Sequence, residues 1–217
     1  MDAEQPPLVA FADLMRHLRT ACAWKAEQTH ASLTRHLLEE TYETLEAIEL
    51  GEATGEWAHL REELGDLLLQ VYFHAVVAEE KGEFTLDEVV QGIHDKMVRR
   101  NPHVFGPQAG QALTPDQIND LWQEAKAREK ADVGEAAPTV PSGPELAAGL
   151  PPGLPALLWA DKVADRAERA GQPLTVDPDD AGDSAPLGDR LLALVLEARA
   201  AGIDPEQALR DAVRTRL

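Results

Sequence analysis

Two runs of this sequence repeat apolar side chains at steps of three and four residues. One holds Leu33, Leu37, Leu38, Tyr42, Leu45 and Ile48, the other Leu60, Leu64, Leu67, Leu68, Val71 and Ala75. Such a period puts each set along one side of an α-helix and predicts helices over roughly 32–50 and 58–81. Gly51 and Gly55 fall between the two and Gly82 follows the second, where helix stops belong. Thr85 with Glu88 forms a capping box opening a third helix through Leu86, Val89, Val90, Ile93 and Met97, which Pro102 ends. Thr114, Pro115 and Gln117 repeat that grammar before a helix through Ala127, and Asp204, Pro205 and Gln207 do so near the end of the sequence. No segment alternates apolar and polar residues as a half-buried strand does. The expected class is all-α, a helix bundle.

Prolines divide the chain. Ala131 to Pro155 contains six prolines and four glycines, a density that excludes a continuous helix. The expected organisation is therefore a helical domain over 1–130, a linker over 131–155 and a smaller helical unit over 156–217. A second break, Val176 to Gly188, carries four aspartates and two prolines without an apolar period and reads as a loop.

The charge limits what the chain binds. Thirty-nine acidic residues face 20 basic ones, a net charge of −19, and residues 1–106 hold 20 of the acids. Binding of a nucleic-acid polymer by phosphate neutralisation needs the opposite balance. A single cysteine, Cys22, leaves no internal disulfide framework, and the start has neither the basic flank nor the apolar run of a signal peptide. The longest apolar stretch, Leu67 to Ala78, is broken by Gln70 and His74 and falls short of the roughly 20 residues that span a bilayer. The expected setting is the cytoplasm, with no membrane contact.

The acids are grouped where the helices are. The first helix contains Glu39, Glu40 and Glu43, and the second Glu63 and Asp66, each set sharing a face at three- and four-residue spacing. Packing the helices together would bring four or five carboxylates into one volume, where repulsion raises their pKa values unless a cation intervenes. Oxygen donors in that number suit Mg²⁺, or Mn²⁺ in its place, better than zinc. Mg²⁺ commonly completes its shell with phosphate oxygens, so the patch points to a phosphorylated substrate. A solvated acidic face would show the same pairs. Against that reading stands Gly65 beside Asp66: glycine inside a helix costs about 1 kcal/mol and would let a neighbouring helix or a ligand come close. The third helix supplies Lys96, Arg99 and Arg100 on one face, the densest basic cluster of the chain. Guanidinium forks match phosphate oxygens.

Glu39-Glu40-x-x-Glu43, nineteen residues, then Glu63-x-x-Asp66 resembles the signature of the MazG family of all-α nucleoside triphosphate pyrophosphohydrolases. Trp24, Gln28 and Thr29, the run Glu63 to Leu68, and Arg99 to Phe105 extend the resemblance over about residues 11–130. It implies hydrolysis of NTPs or dNTPs to the monophosphate and pyrophosphate. It places Mg²⁺ on Glu40, Glu43, Glu63 and Asp66, has Lys96, Arg99 and Arg100 facing the phosphates, and makes Glu39 the candidate to position or deprotonate the attacking water. Trp24 by stacking, and Gln28 or Thr29 by hydrogen bonds, are its candidates for the nucleoside.

Two departures matter. The family usually has Cys-Pro-Trp-Asp where this chain has Cys22-Ala23-Trp24-Lys25, so the nucleoside-side loop is expected to differ in shape and charge. Longer members carry a second copy of the unit after a joint resembling Leu154 to Lys162; here the paired glutamates of that copy are missing and only Pro186-Leu187-Gly188-Asp189 stands for its second motif. The C-terminal unit is expected to be a degenerate structural half, in which Asp189→Asn leaves hydrolysis untouched. Glu27-x-x-His30 and Glu56-x-x-His59 also have the spacing of a di-iron carboxylate bundle, though both fall near helix starts and both histidines read as surface residues. An acidic helical interaction module without catalysis is the third reading. Helix pairs this apolar would leave a large face exposed, which predicts a homodimer.

Overall fold

The computed structural model describes residues 5–132, 143–177 and 185–216. It is all-α: among the described residues there is no strand. The elements are α1 (Pro7–Ala21), α2 (Ala23–Glu27), α3 (His30–Thr54), α4 (Ala58–Lys81), α5 (Leu86–Arg100), α6 (Pro102–Phe105), α7 (Pro115–Asp132), a 3-10 turn (Gly143–Ala147), α8 (Ala156–Arg169), α9 (Leu187–Ala200) and α10 (Pro205–Arg214). No helix among the described residues is long and apolar enough to cross a membrane.

The capping grammar is realised in atoms. The Thr85 hydroxyl accepts from the Glu88 amide while the Glu88 carboxylate accepts from the Thr85 amide. Thr114 with Gln117 does the same, and the Asp204 carboxylate accepts from the Gln207 amide. Gly55 and Gly82 close α3 and α4 in the left-handed region, φ +78° and +68°, which glycine adopts without steric cost. Gly51 is not a stop. It lies inside α3, buried, where a Cβ would come within 2.5 Å of the Trp57 ring. The helix reaches four residues past the expected end because that glycine serves packing between α3 and the start of α4.

The chain divides into two units, Met1–Lys126 and Ala127–Leu217. In the first, α4 is the central element, packed on α1, α3 and α5. Its core joins Ala12 and Met15 of α1, Leu33 of α3, Leu86 of α5 and Tyr72, Phe73, Ala75, Val76 and Val77 of α4. Buried Arg19 adds a polar tie: its guanidinium donates to Glu80 of α4, from Nε at 2.8 Å, and to the backbone carbonyls of Lys25 and Gln28. The large apolar residues of the periodic pattern are only partly inside. In α3 the buried line is Leu33, Thr44, Ala47 and Gly51, whereas Leu38, Tyr42, Leu45 and Ile48 are exposed. Leu64, Leu68 and Val71 of α4 are exposed too. These helices are apolar on two sides, and the small-residue side of α3 is the one that α4 covers.

In the second unit Leu146 packs on Val163 and Ala167 of α8. Arg166 donates to the carbonyls of Leu146 and Ala148, and Arg199 of α9 pairs with Asp161, Asp165 and Glu168 of α8. Of the linker expected over 131–155, residues 133–142 lie outside the described residues, as do residues 178–184 of the loop expected over Val176 to Gly188. That loop's last two residues already belong to α9.

Candidate active site

Helices α3 and α4 run antiparallel, so Glu40 and Glu43 in the middle of one meet Glu63 near the start of the other. Each of these three offers a carboxylate oxygen, and the three oxygens lie within 4.8 Å of one another. Among the described residues this is the group of three or more His, Cys, Asp or Glu side chains gathered so closely; the Glu27/His30 and Glu56/His59 pairs form none. Glu63 is buried, Glu40 half-buried and Glu43 exposed. Burial, and then the charges of Asp66, Glu43 and Glu63, push the Glu40 carboxyl above its ordinary range. Asp66 therefore acts on the cluster electrostatically, although it contributes no oxygen to the group of three. Its neighbour Gly65 faces open space, with nothing within 4 Å of a Cβ built there, so among the described residues no helix uses the close approach that glycine allows.

The donor set fits a hard divalent cation. Oxygens sharing an Mg²⁺ at about 2.1 Å each stand about 3 to 4 Å apart, which a small rotation of carboxylates already within 4.8 Å supplies. The burial, and then the like charge, that raise Glu40 are the cost of the cluster without a cation. Support comes from around it. His59, one turn before Glu63, places Nδ1 3.3 Å from its carboxylate, and the Thr44 hydroxyl donates to the Glu40 carbonyl at 2.7 Å. Sequence reading missed the His59 contact, although its four-residue spacing from Glu63 was the available signal.

Glu39 faces a different way from the cluster residues. It accepts from Arg35 Nε at 2.8 Å and lies 3.2 Å from His36 Nδ1, and the Arg35 hydrogen bond holds its carboxyl below the ordinary range. The nucleoside-side candidates form a compact turn ahead of α3. Trp24 is 52% exposed, with His36 edge-on at 6.0 Å between ring centroids and the Lys25 ammonium 5.4 Å from its ring. Gln28 donates to the Trp24 carbonyl and accepts from Ser32, and Thr29 caps α3 with Ser32. Lys96, Arg99 and Arg100 occupy the second half of α5, and the Arg100 guanidinium lies 5.3 Å from the centre of the Trp122 ring of α7.

Comparison with known proteins gives the chain its relatives. Residues 28–105 match the MazG nucleotide pyrophosphohydrolase domain, a span containing all five acidic candidates. A Thermotoga maritima protein named nucleoside triphosphate pyrophosphohydrolase/pyrophosphatase MazG is 36% identical, over 94% of this chain and 80% of its own. The chain belongs to the MazG family. Another similar protein, from Streptomyces cacaoi, is an uncharacterized 26.1 kDa protein of the blaB 3′ region, 40% identical over 94% of this chain and 77% of its own. The Mycobacterium tuberculosis nucleoside triphosphate pyrophosphohydrolase is 39% identical over 95% of this chain, which spans about half, 54%, of that protein's length. Within the MazG match fall the α3–α4 hairpin and α5, the elements that carry the carboxylates and the basic face.

Proposed function

We propose that this MazG chain is a Mg²⁺-dependent hydrolase of nucleoside triphosphates, releasing nucleoside monophosphate and pyrophosphate. The observation that carries the reading is the convergence of Glu40, Glu43 and Glu63, inside the residues that match the MazG domain, in a family whose relatives are named for this activity. Glu40, Glu43 and Glu63, with Asp66 alongside, would hold the cation. Bound there, Mg²⁺ offsets phosphate charge and makes hydroxide available near neutral pH. Lys96, Arg99 and Arg100 supply donors to the phosphates, and the exposed face of Trp24 stacks on the base with Gln28 and Thr29 beside it. Glu39, kept ionised by Arg35, orients the attacking water. The water oxygen bonds to the α phosphorus as the bridge to the β phosphate breaks, so pyrophosphate leaves in line.

The exposed apolar side chains of α3 and α4 support a homodimer, and the setting we propose is nucleotide-pool housekeeping in the cytoplasm. The testing experiment is a hydrolysis panel over NTPs and dNTPs with and without Mg²⁺, reading monophosphate and pyrophosphate. Glu43→Gln and Asp66→Asn are expected to abolish pyrophosphate release at unchanged helicity. Normal turnover in either would remove the site, and a wild type with neither hydrolysis nor a Mg²⁺-dependent rise in melting temperature would leave an acidic interaction module.

A further inference from the structure

The stripe of α4 that carries Glu63 and Asp66 continues through Gln70 to His74, and there it meets the start of α3. His74 Nδ1 lies 2.9 Å from His30 Nδ1, with the ring planes 1° apart. Two imidazole nitrogens at that distance share one proton, donated by one ring and accepted by the other. His30 is the first residue of α3, directly after Trp24, Gln28 and Thr29, and 44 residues from His74. We infer that the His30–His74 pair is a proton-dependent clasp that fastens the Ala23–Thr29 segment to the metal-binding helix α4 and so positions Trp24 over the site. The inference rests on the reading of Trp24 as the nucleoside contact.

The surroundings say which proton count the pair tolerates. His74 Nε2 is buried without a hydrogen-bond partner, and the Oε1 of buried Gln70, one turn earlier, is also unpartnered. The tautomer sets the cost of a second proton on the pair. If His74 donates, a proton on its Nε2 would put an unpaired N–H in that interior and a charge beside His30. If His30 is protonated, the bond survives only with His74 accepting and its own N–H on that same unpartnered Nε2. Burial, and then His30, accordingly hold the His74 imidazole below its ordinary 6.5. Glu83, in the turn after α4, lies 3.9 Å from His30 Nε2. Lys25 of α2 and Arg19 of α1 both lie over Phe73, and Arg19 is paired with Glu80. Arg19 holds the carbonyls of Lys25 and Gln28, so the segment has one pH-independent tie and one that needs a free imidazole nitrogen. A neutral form favoured in the folded state gives stability that is present above pH 6.5 and lost as the pH falls below it.

Hydrogen exchange of the amides of residues 23–30, read as protection factors by mass spectrometry on the full chain at pH 7.5 and 5.5, tests the clasp. Protection is expected to fall about fivefold or more in wild type at pH 5.5 and in His74→Phe at pH 7.5, as loss of one hydrogen bond requires. The double variant His30→Phe with His74→Phe, which keeps an apolar ring pair, is expected to hold one protection value at both pH values. With ATP and dTTP plus Mg²⁺, KM should rise about fivefold in His74→Phe while kcat stays within about twofold. Equal protection in wild type at both pH values, or an unmoved KM, or a fall in kcat alone, overturns the inference. If wild type hydrolyses neither nucleotide, the functional reading fails, and the exchange data still decide the clasp.

Discussion

Glu40 is the side chain that bears the cost of the site. Its carboxyl sits partly out of water among Asp66, Glu43 and Glu63, so the folded protein favours its protonated form relative to the free chain. The sign follows directly. A carboxyl whose folded pKa is raised favours folding below its ordinary value of 4.5 and penalises it as pH rises through that value and beyond. In chelator the wild type is therefore expected to melt lower at pH 7.5 than Glu40→Gln, and the variant is expected to lose most of the Mg²⁺-induced rise in melting temperature. Paired melting scans in EDTA and Mg²⁺ check this; a variant that melts below wild type in EDTA would mean that the carboxylates do not repel. Glu39, a residue away, differs because Arg35 pairs with it, so neighbours in sequence carry opposite shifts. The pairs Glu39-Glu40 and Glu63-x-x-Asp66 were legible as candidates from spacing. Which of them converge was not, since that depends on how α3 and α4 are rotated against each other.

At the scale of elements, the α3–α4 hairpin is set by one glycine. The pattern reads Gly51 as a terminator because glycine is the poorest helix former after proline. In the fold its missing side chain makes room for the Trp57 ring at the N-terminus of α4. Gly51→Ala is expected to destabilise the protein by about 1–2 kcal/mol in urea unfolding despite better helix propensity, because the ring must move. In a Trp57→Ala background the same change should instead stabilise by about 0.5–1 kcal/mol, since only the propensity gain remains. Identical effects in both backgrounds would show that the contact does not matter. Gly55 and Gly82 were readable as stops and are stops, since a left-handed φ needs no tertiary partner to favour glycine.

For the molecule as a whole, the apolar period is satisfied only in part by a single chain. Leu38 is 57% exposed and Leu64 50%, each with helical neighbours at four residues and then three: Tyr42 and Leu45 on α3, Leu68 and Val71 on α4. Under the homodimer proposal, these exposed side chains are what a second copy would cover. Sedimentation velocity at micromolar concentration is expected to show a dimer for the wild type and a monomer for Leu64→Glu with Leu68→Glu, at unchanged helicity. A monomeric wild type would defeat the homodimer proposal.

The sequence by itself determined the class of fold, the helix ends marked by capping boxes and left-handed glycines, and the short roster of acids from which the site is drawn. Each of these is a local property, written in spacings of one helical turn. Only the tertiary structure decided that Glu40, Glu43 and Glu63 converge, that Leu38, Tyr42, Leu45 and Ile48 of α3 face outward while Leu33 is buried, and that His30 finds His74. The meeting of Glu40 and Glu43 with Glu63, and of His30 with His74, joins residues 20 to 44 positions apart across two helices, and a period of 3.6 fixes a face without fixing what lies opposite it.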